Sequence, residues 1–197
     1  MTNKSGCGCL LLVGLAFVCI YLNGKNPAKS GYVYNNYTTQ EEENKSTGDS
    51  ILDDLLEKAK SNIQAQYDTG LYYQKQENYK QALLWMETAA SNGHKDAQCF
   101  MGTVTAEVRP KDSAEWHLKA AKQGHPFSQF SIGLMYANGN GIKRDLILSY
   151  AWLTISLQTN SKNFLAIQAL QRVKREMTAS QIQTAQRKIS EISSQIY

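Results

Sequence analysis

The chain has 197 residues, 42% apolar and 19% charged, which provides an adequate core for one domain and excludes global disorder. Lys and Arg total 21 against 17 Asp and Glu, and the resulting net charge of +4 is too small and too scattered to mark a nucleic-acid binder. Cys7, Cys9 and Cys19 lie near the start and only Cys99 lies in the body, so the body has no disulfide framework and no Cys-x-x-Cys pair for zinc or redox chemistry.

Residues 7–22, CGCLLLVGLAFVCIYL, carry no charge and are apolar on every helical face. As a helix the run would span about 24 Å, against roughly 30 Å of bilayer hydrocarbon. It predicts a transmembrane anchor or signal sequence over residues 1–24, with an uncleaved single-pass anchor preferred to a cleaved signal. Only six residues precede the run, so export of everything after it is the simpler topology. The alternative is a cut near Ala28-Lys29-Ser30 and a periplasmic or secreted body. Residues 25–49 are rich in Asn, Ser, Thr, Gly and Tyr and read as a flexible linker.

The body, residues 50–197, opens with Ser50 as the predicted helix N-cap and Asp53 in the first turn. Ile51, Leu52, Leu55, Leu56, Ala59 and Ile63 follow at helical spacing. Self-similarity then dominates. Ala65-Gln66-x-x-x-Gly70 recurs as Ala97-Gln98-x-x-x-Gly102 and as Ser128-Gln129-x-x-x-Gly133, with glycine spacings of 32 and 31 residues. In phase with it, Trp85-x-x-x-Ala89-Ala90-x-x-Gly93-His94 returns as Trp116-x-x-x-Ala120-Ala121-x-x-Gly124-His125, and Trp152 begins a weaker third copy after a longer loop. Two apolar segments per period predict helix-turn-helix repeats near 65–96, 97–127 and 128–163, closed by a cap over 164–197.

The residue types fit that architecture. Gly70, Gly102 and Gly133 in each first helix let a neighbouring helix approach closely, which offsets a cost of about 1 kcal/mol for mid-helix glycine. Trp85, Trp116 and Trp152 are expected to fill the space between helices. Gly93 and Gly124 are expected to end the second helices in the left-handed conformation, and Pro126 to open the next helix. Thr178 and Gln181 form a capping box, with Met177 and Ile182 as its hydrophobic staple.

The motif of Ile132-Gly133, Tyr136, Gly139-Asn140-Gly141-Ile142, Asp145, Ser149 and Trp152 resembles the Sel1-like repeat, a relative of the tetratricopeptide repeat. The first copy keeps Gly70, Tyr73, Ala82, Trp85, Ala89, Ala90 and Gly93 but lacks the Gly-x-Gly loop; the second has Thr105 in place of the tyrosine. The resemblance covers roughly residues 65–190. It implies an all-α solenoid of helix-turn-helix repeats with a C-terminal capping helix. It also implies a non-enzymatic role as a protein-interaction adaptor. With the apolar N-terminus, that adaptor would sit in the bacterial inner membrane, its body periplasmic. The alternative role is an exported immunity or inhibitor protein that sequesters a toxin or enzyme; a hydrolase is a more distant third.

No nucleophile elbow, phosphate loop or metalloprotease motif occurs, and no cofactor, metal or nucleic acid is expected. His94 and His125 follow the terminating glycines, where a partial positive charge at a helix C-terminus is favourable. Cys99 reads as a small buried residue. Arg172, Lys174 and Arg175, with Arg187 and Lys188, form the one basic concentration and read as a solvated face, or as a surface for anionic lipid headgroups. In tetratricopeptide proteins the groove that holds a partner peptide is lined by first-helix positions. Here those positions hold Tyr67, Leu71, Cys99, Thr103, Phe130 and Leu134, so Tyr67, Leu71, Thr103, Phe130 and Leu134 are the candidate partner-binding residues.

Overall fold

The computed structural model describes residues 48–196. The expected anchor over 1–24 and nearly all of the linker lie outside the described residues. Among the described residues, no helix is long and apolar enough to cross a membrane.

Among the described residues nine helices follow one another: α1 (Ser50–Ala59), α2 (Ile63–Lys75), α3 (Tyr79–Ser91), α4 (Lys95–Thr105), α5 (Pro110–Lys122), α6 (Pro126–Asn138), α7 (Leu146–Thr159), α8 (Phe164–Arg175) and α9 (Ala179–Ile196). About 79% of the described residues are helical and none is in a strand. They divide into two compact units, residues 48–85 and 86–196, the division falling within α3. The C-terminal region has two helices, α8 and α9. The capping helix is α9, which packs on α7 and touches α5, while α8 pairs with α7.

The helix ends are set by local chemistry. Side chains of Asp49, Asn62, Asp145 and Asn163 accept hydrogen bonds from first-turn N–H groups that have no intrahelical acceptor. The cap of α1 is Asp49, one residue before the expected Ser50, because its carboxylate accepts from both Ile51 N and Leu52 N. The Tyr72 hydroxyl on α2 also donates to Asp49; that bond, foremost, holds the carboxyl below its usual range. Pro110 and Pro126 open α5 and α6, where a missing N–H removes no helical bond.

The α3 and α5 helices stop by the same device. Gly93 and Gly124 have φ of 101° and 78°. Around them Gly93 N bonds Ala90 O and His94 N bonds Ala89 O, and Gly124 N bonds Ala121 O and His125 N bonds Ala120 O. These paired bonds are the Schellman arrangement, which satisfies the last carbonyls of each helix. The capping box of α9 has both arms: Thr178 N donates to Gln181 Oε1 at 2.8 Å, and Gln181 N to Thr178 Oγ1 at 3.2 Å.

The repeated glutamines close the turns between helices. The Nε2 of Gln66, Gln98 and Gln129 donates to the carbonyl of Ala59, Ala90 and Ala121, respectively, at 3.0, 3.0 and 3.4 Å. In each case the acceptor lies in the last turn of the preceding helix. Ala59 therefore stands where Ala90 and Ala121 stand, and α1 takes the place of the second helix of an incomplete repeat.

Candidate protein-interaction surface

Close approach of paired helices depends on the glycines of α4 and α6. A Cβ on Gly102 would lie 2.8 Å from the His117 ring of α5, and one on Gly133 would lie 2.8 Å from Leu153 Cγ of α7. His117 and Leu153 each follow the repeat tryptophan, as Met86 follows Trp85. Met86 is 1% exposed, His117 4% and Leu153 0%. The residue after the tryptophan is thus the buried plug of each repeat. The tryptophans themselves differ. Trp152 is buried, whereas Trp85 and Trp116 are half-buried, and the Lys119 ammonium lies over the Trp116 ring, 4.3 Å from its centroid. Trp85 and Trp116 thus leave part of their rings open to solvent.

A serine fastens the same interface. Ser113 Oγ of α5 donates to Gly102 O at 2.5 Å, and Ser149 Oγ of α7 donates to Gly133 O at 2.8 Å. Both serines are fully buried. Ser113→Ala should cost about 1–2 kcal/mol, because a buried carbonyl loses a partner that water cannot replace. Urea unfolding of that variant measures it, and an unchanged midpoint would mean the bond contributes nothing.

The histidines do not stabilise helix C-termini as expected; they cap the helices that follow. His94 Nδ1 accepts from Ala97 N at 3.3 Å, and His125 Nδ1 from Ser128 N at 3.2 Å. An accepting Nδ1 leaves the proton on Nε2, and His125 Nε2 lies 3.4 Å from Asp96 Oδ1 on α4. His117 Nδ1 lies 3.3 Å from Ser128 Oγ. Burial holds the His117 imidazole down at about 4, from the usual 6.5, and nearby His125 pushes the same way. The folded protein therefore carries His117 neutral, and its stabilising effect is full above pH 6.5 and is lost as pH falls toward 4. Ser128 is 0% exposed, so this serine–histidine pair is closed to any substrate. Among the described residues no cluster of three or more His, Cys, Asp and Glu side chains is arranged to hold a metal.

The candidate partner-binding residues lie on α2, α4 and α6. Tyr67 and Leu71 on α2 are half-buried. Thr103 on α4 is half-buried, and its hydroxyl donates to Cys99 O of its own helix at 3.0 Å, while Cys99 itself is 1% exposed and belongs to the core. On α6, Phe130 and Leu134 are also half-buried, and they pack on a cluster of Ala137, Leu153, Ala169 and Val173. Those two residues thus support α7 and α8 while keeping part of their surface open. The basic residues sit on α8 and α9. Arg172 donates to Asn138 Oδ1 at 3.2 Å, and Lys188 pairs with Glu191 on the surface.

Sel1 repeat models match residues 63–94, 96–125 and 126–157. Solved structures resemble the chain over a longer span. One is a protective antigen present in uropathogenic Escherichia coli strains and displaying an SLR fold, at 26% identity and a TM-score of 0.63, over 74% of this chain and 33% of that one. Another is a Sel1 repeat protein from Oxalobacter formigenes, at 27% identity and a TM-score of 0.55, over 62% of this chain and 98% of that one. The chain thus spans about a third of the length of the E. coli antigen. No curated protein sequence matches it. Sel1 repeats generally mediate protein–protein interaction, and the fold is typically a non-enzymatic scaffold. Three consecutive segments of the chain thus match the Sel1 repeat, and its fold is an all-α superhelix like those of the Sel1-type solenoids.

Proposed function

We propose that this protein is a membrane-tethered adaptor of the bacterial envelope, held by residues 7–22, and that it binds a protein partner through partly exposed residues on the first helices of its repeats. One observation carries the reading: Tyr67 on α2 and Phe130 on α6 occupy the same register position in their repeats, and both keep large aromatic side chains half-exposed. Leu71 and Leu134 repeat the pattern one turn later. Rigid aromatic side chains with part of their surface open are the usual anchors of protein interfaces.

A photo-crosslinking residue at position 103 in the full chain, expressed in its native cells, tests the reading. Thr103 holds on α4 the repeat position that Leu71 and Leu134 hold on α2 and α6, while Glu115 is an exposed position on α5. A discrete crosslinked protein adduct in the membrane fraction from position 103, and none from position 115, is the expected result. Equal labelling from both positions, or none from either, would count against the proposed face. Recovery of the chain in the soluble fraction would count against the tether alone.

A further inference from the structure

His117 occupies the position held by Met86 in one flanking repeat and by Leu153 in the other, and Ser128 the position held by Ala65 and Ala97. Two apolar positions of the repeat core are thus polar only in the second helix pair and the helix that follows it, and there they meet. His117 Nδ1 lies 3.3 Å from Ser128 Oγ, the ring lies against Gly102 of α4, and its edge faces Phe127 with centroids 6.1 Å apart. Among the described residues, the ionisable groups around the pair are few. His125 approaches from α6, and Asp96 of α4 reaches His125 Nε2 rather than His117. On α5 itself, Asp112 pairs with Arg109, Glu115 is exposed, and Lys119 lies over Trp116.

We propose that the His117–Ser128 pair is an acid-operated latch that opens the second repeat, α4 to α6, while α7 stays closed on α6. A neutral imidazole suits this site, because either tautomer can share a proton with the Ser128 hydroxyl. An imidazolium could still donate to that hydroxyl, but it would be a cation among Gly102, Phe127 and the core, without a carboxylate to offset lost hydration. Swinging outward restores its water and removes the plug from Gly102. The matching interface of α6 and α7 is closed by Leu153 on Gly133, which does not titrate. With an imidazole at about 4 when closed and 6.5 when hydrated, the opening equilibrium should rise about thirtyfold between pH 7.5 and pH 5.

Amide hydrogen exchange on the full chain in detergent, at pH 7.5 and pH 5 and corrected for intrinsic rates, reads this directly. The expected result is a roughly thirtyfold increase in opening for amides of α5 and little change for those of α7. His117→Leu with Ser128→Ala, which installs residues the other repeats use, should abolish the increase. His117→Met alone is the second route if that pair fails to fold. His125→Asn keeps a side-chain cap on α6 and should leave the acid response in place. Equal opening at both pH values, parallel opening of α5 and α7, or an acid response lost in His125→Asn but kept without His117 would overturn the proposal.

Discussion

Gly141→Ala should lower stability by roughly 3–5 kcal/mol, the sum of left-handed backbone strain and a clash that small side-chain shifts cannot relieve. Gly141 has a φ of 69°, and a Cβ there would fall 1.9 Å from Pro110 O and 2.8 Å from Lys111 N. Both contacts are backbone at the start of α5, so the loop after α6 or the first turn of α5 must move. Gly139 is the internal control. Its φ is 72°, but its added Cβ would come no closer than 3.4 Å to Arg144 Cβ. Gly139→Ala should therefore cost only the strain, about 1–2 kcal/mol. Chemical unfolding of the two variants compares them, and equal losses would show that the loop does not rest on Pro110.

Trp152→Ala should cost about 3–5 kcal/mol, and Trp116→Ala clearly less, about 1–2 kcal/mol. Trp152 is 3% exposed and packs among Ala114, Ala121, Ile132, Met135 and Ile155, with Ile189 and Ile192 of α9 against the same cluster. Its removal leaves a cavity where α5, α6, α7 and α9 meet. Trp116 is half-buried and covered in part by the exposed Lys119 side chain, so its neighbours can close over the gap. Denaturant midpoints of the two variants decide between this difference and the equal burial that their matching places in the repeat suggest.

That contrast shows what period and residue type convey and what they do not. The recurrence of Gly102 and Gly133, with Gly93 and Gly124, was enough to predict paired helices, their close approach and their ends, because each rests on a local property of glycine. Burial of the tryptophans was not legible, since it depends on which later helix covers them; α9 covers Trp152 from more than thirty residues away. The plug residues Met86, His117 and Leu153 share a position but no chemical type, so no pattern of residue types marks them. Gln66, Gln98 and Gln129 were visible as a repeat, but their function, to satisfy carbonyls of the preceding helix, required knowing where those helices end. The serine pair Ser113 and Ser149 was a detectable signal, three residues before each tryptophan, but position alone does not show that their hydroxyls reach the carbonyls of Gly102 and Gly133. For the interaction surface, the first-helix groove positions gave five half-buried residues beside the buried Cys99, but could not tell that Phe130 and Leu134 also carry α7 and α8.

Binding and stability measured together on Tyr67→Ala and Phe130→Ala test the proposed surface most directly. The full chain, recovered with its crosslinked partner, provides the binding assay, and thermal melts of the same preparations provide the control. Tyr67→Ala should weaken binding by about 2 kcal/mol or more while its melt stays close to the parent. Phe130→Ala should weaken binding comparably but also melt a few degrees lower, since part of its ring supports the core beside Leu153. Unchanged affinity in both variants, or affinity lost only in proportion to unfolding, would contradict a partner site on the first-helix face.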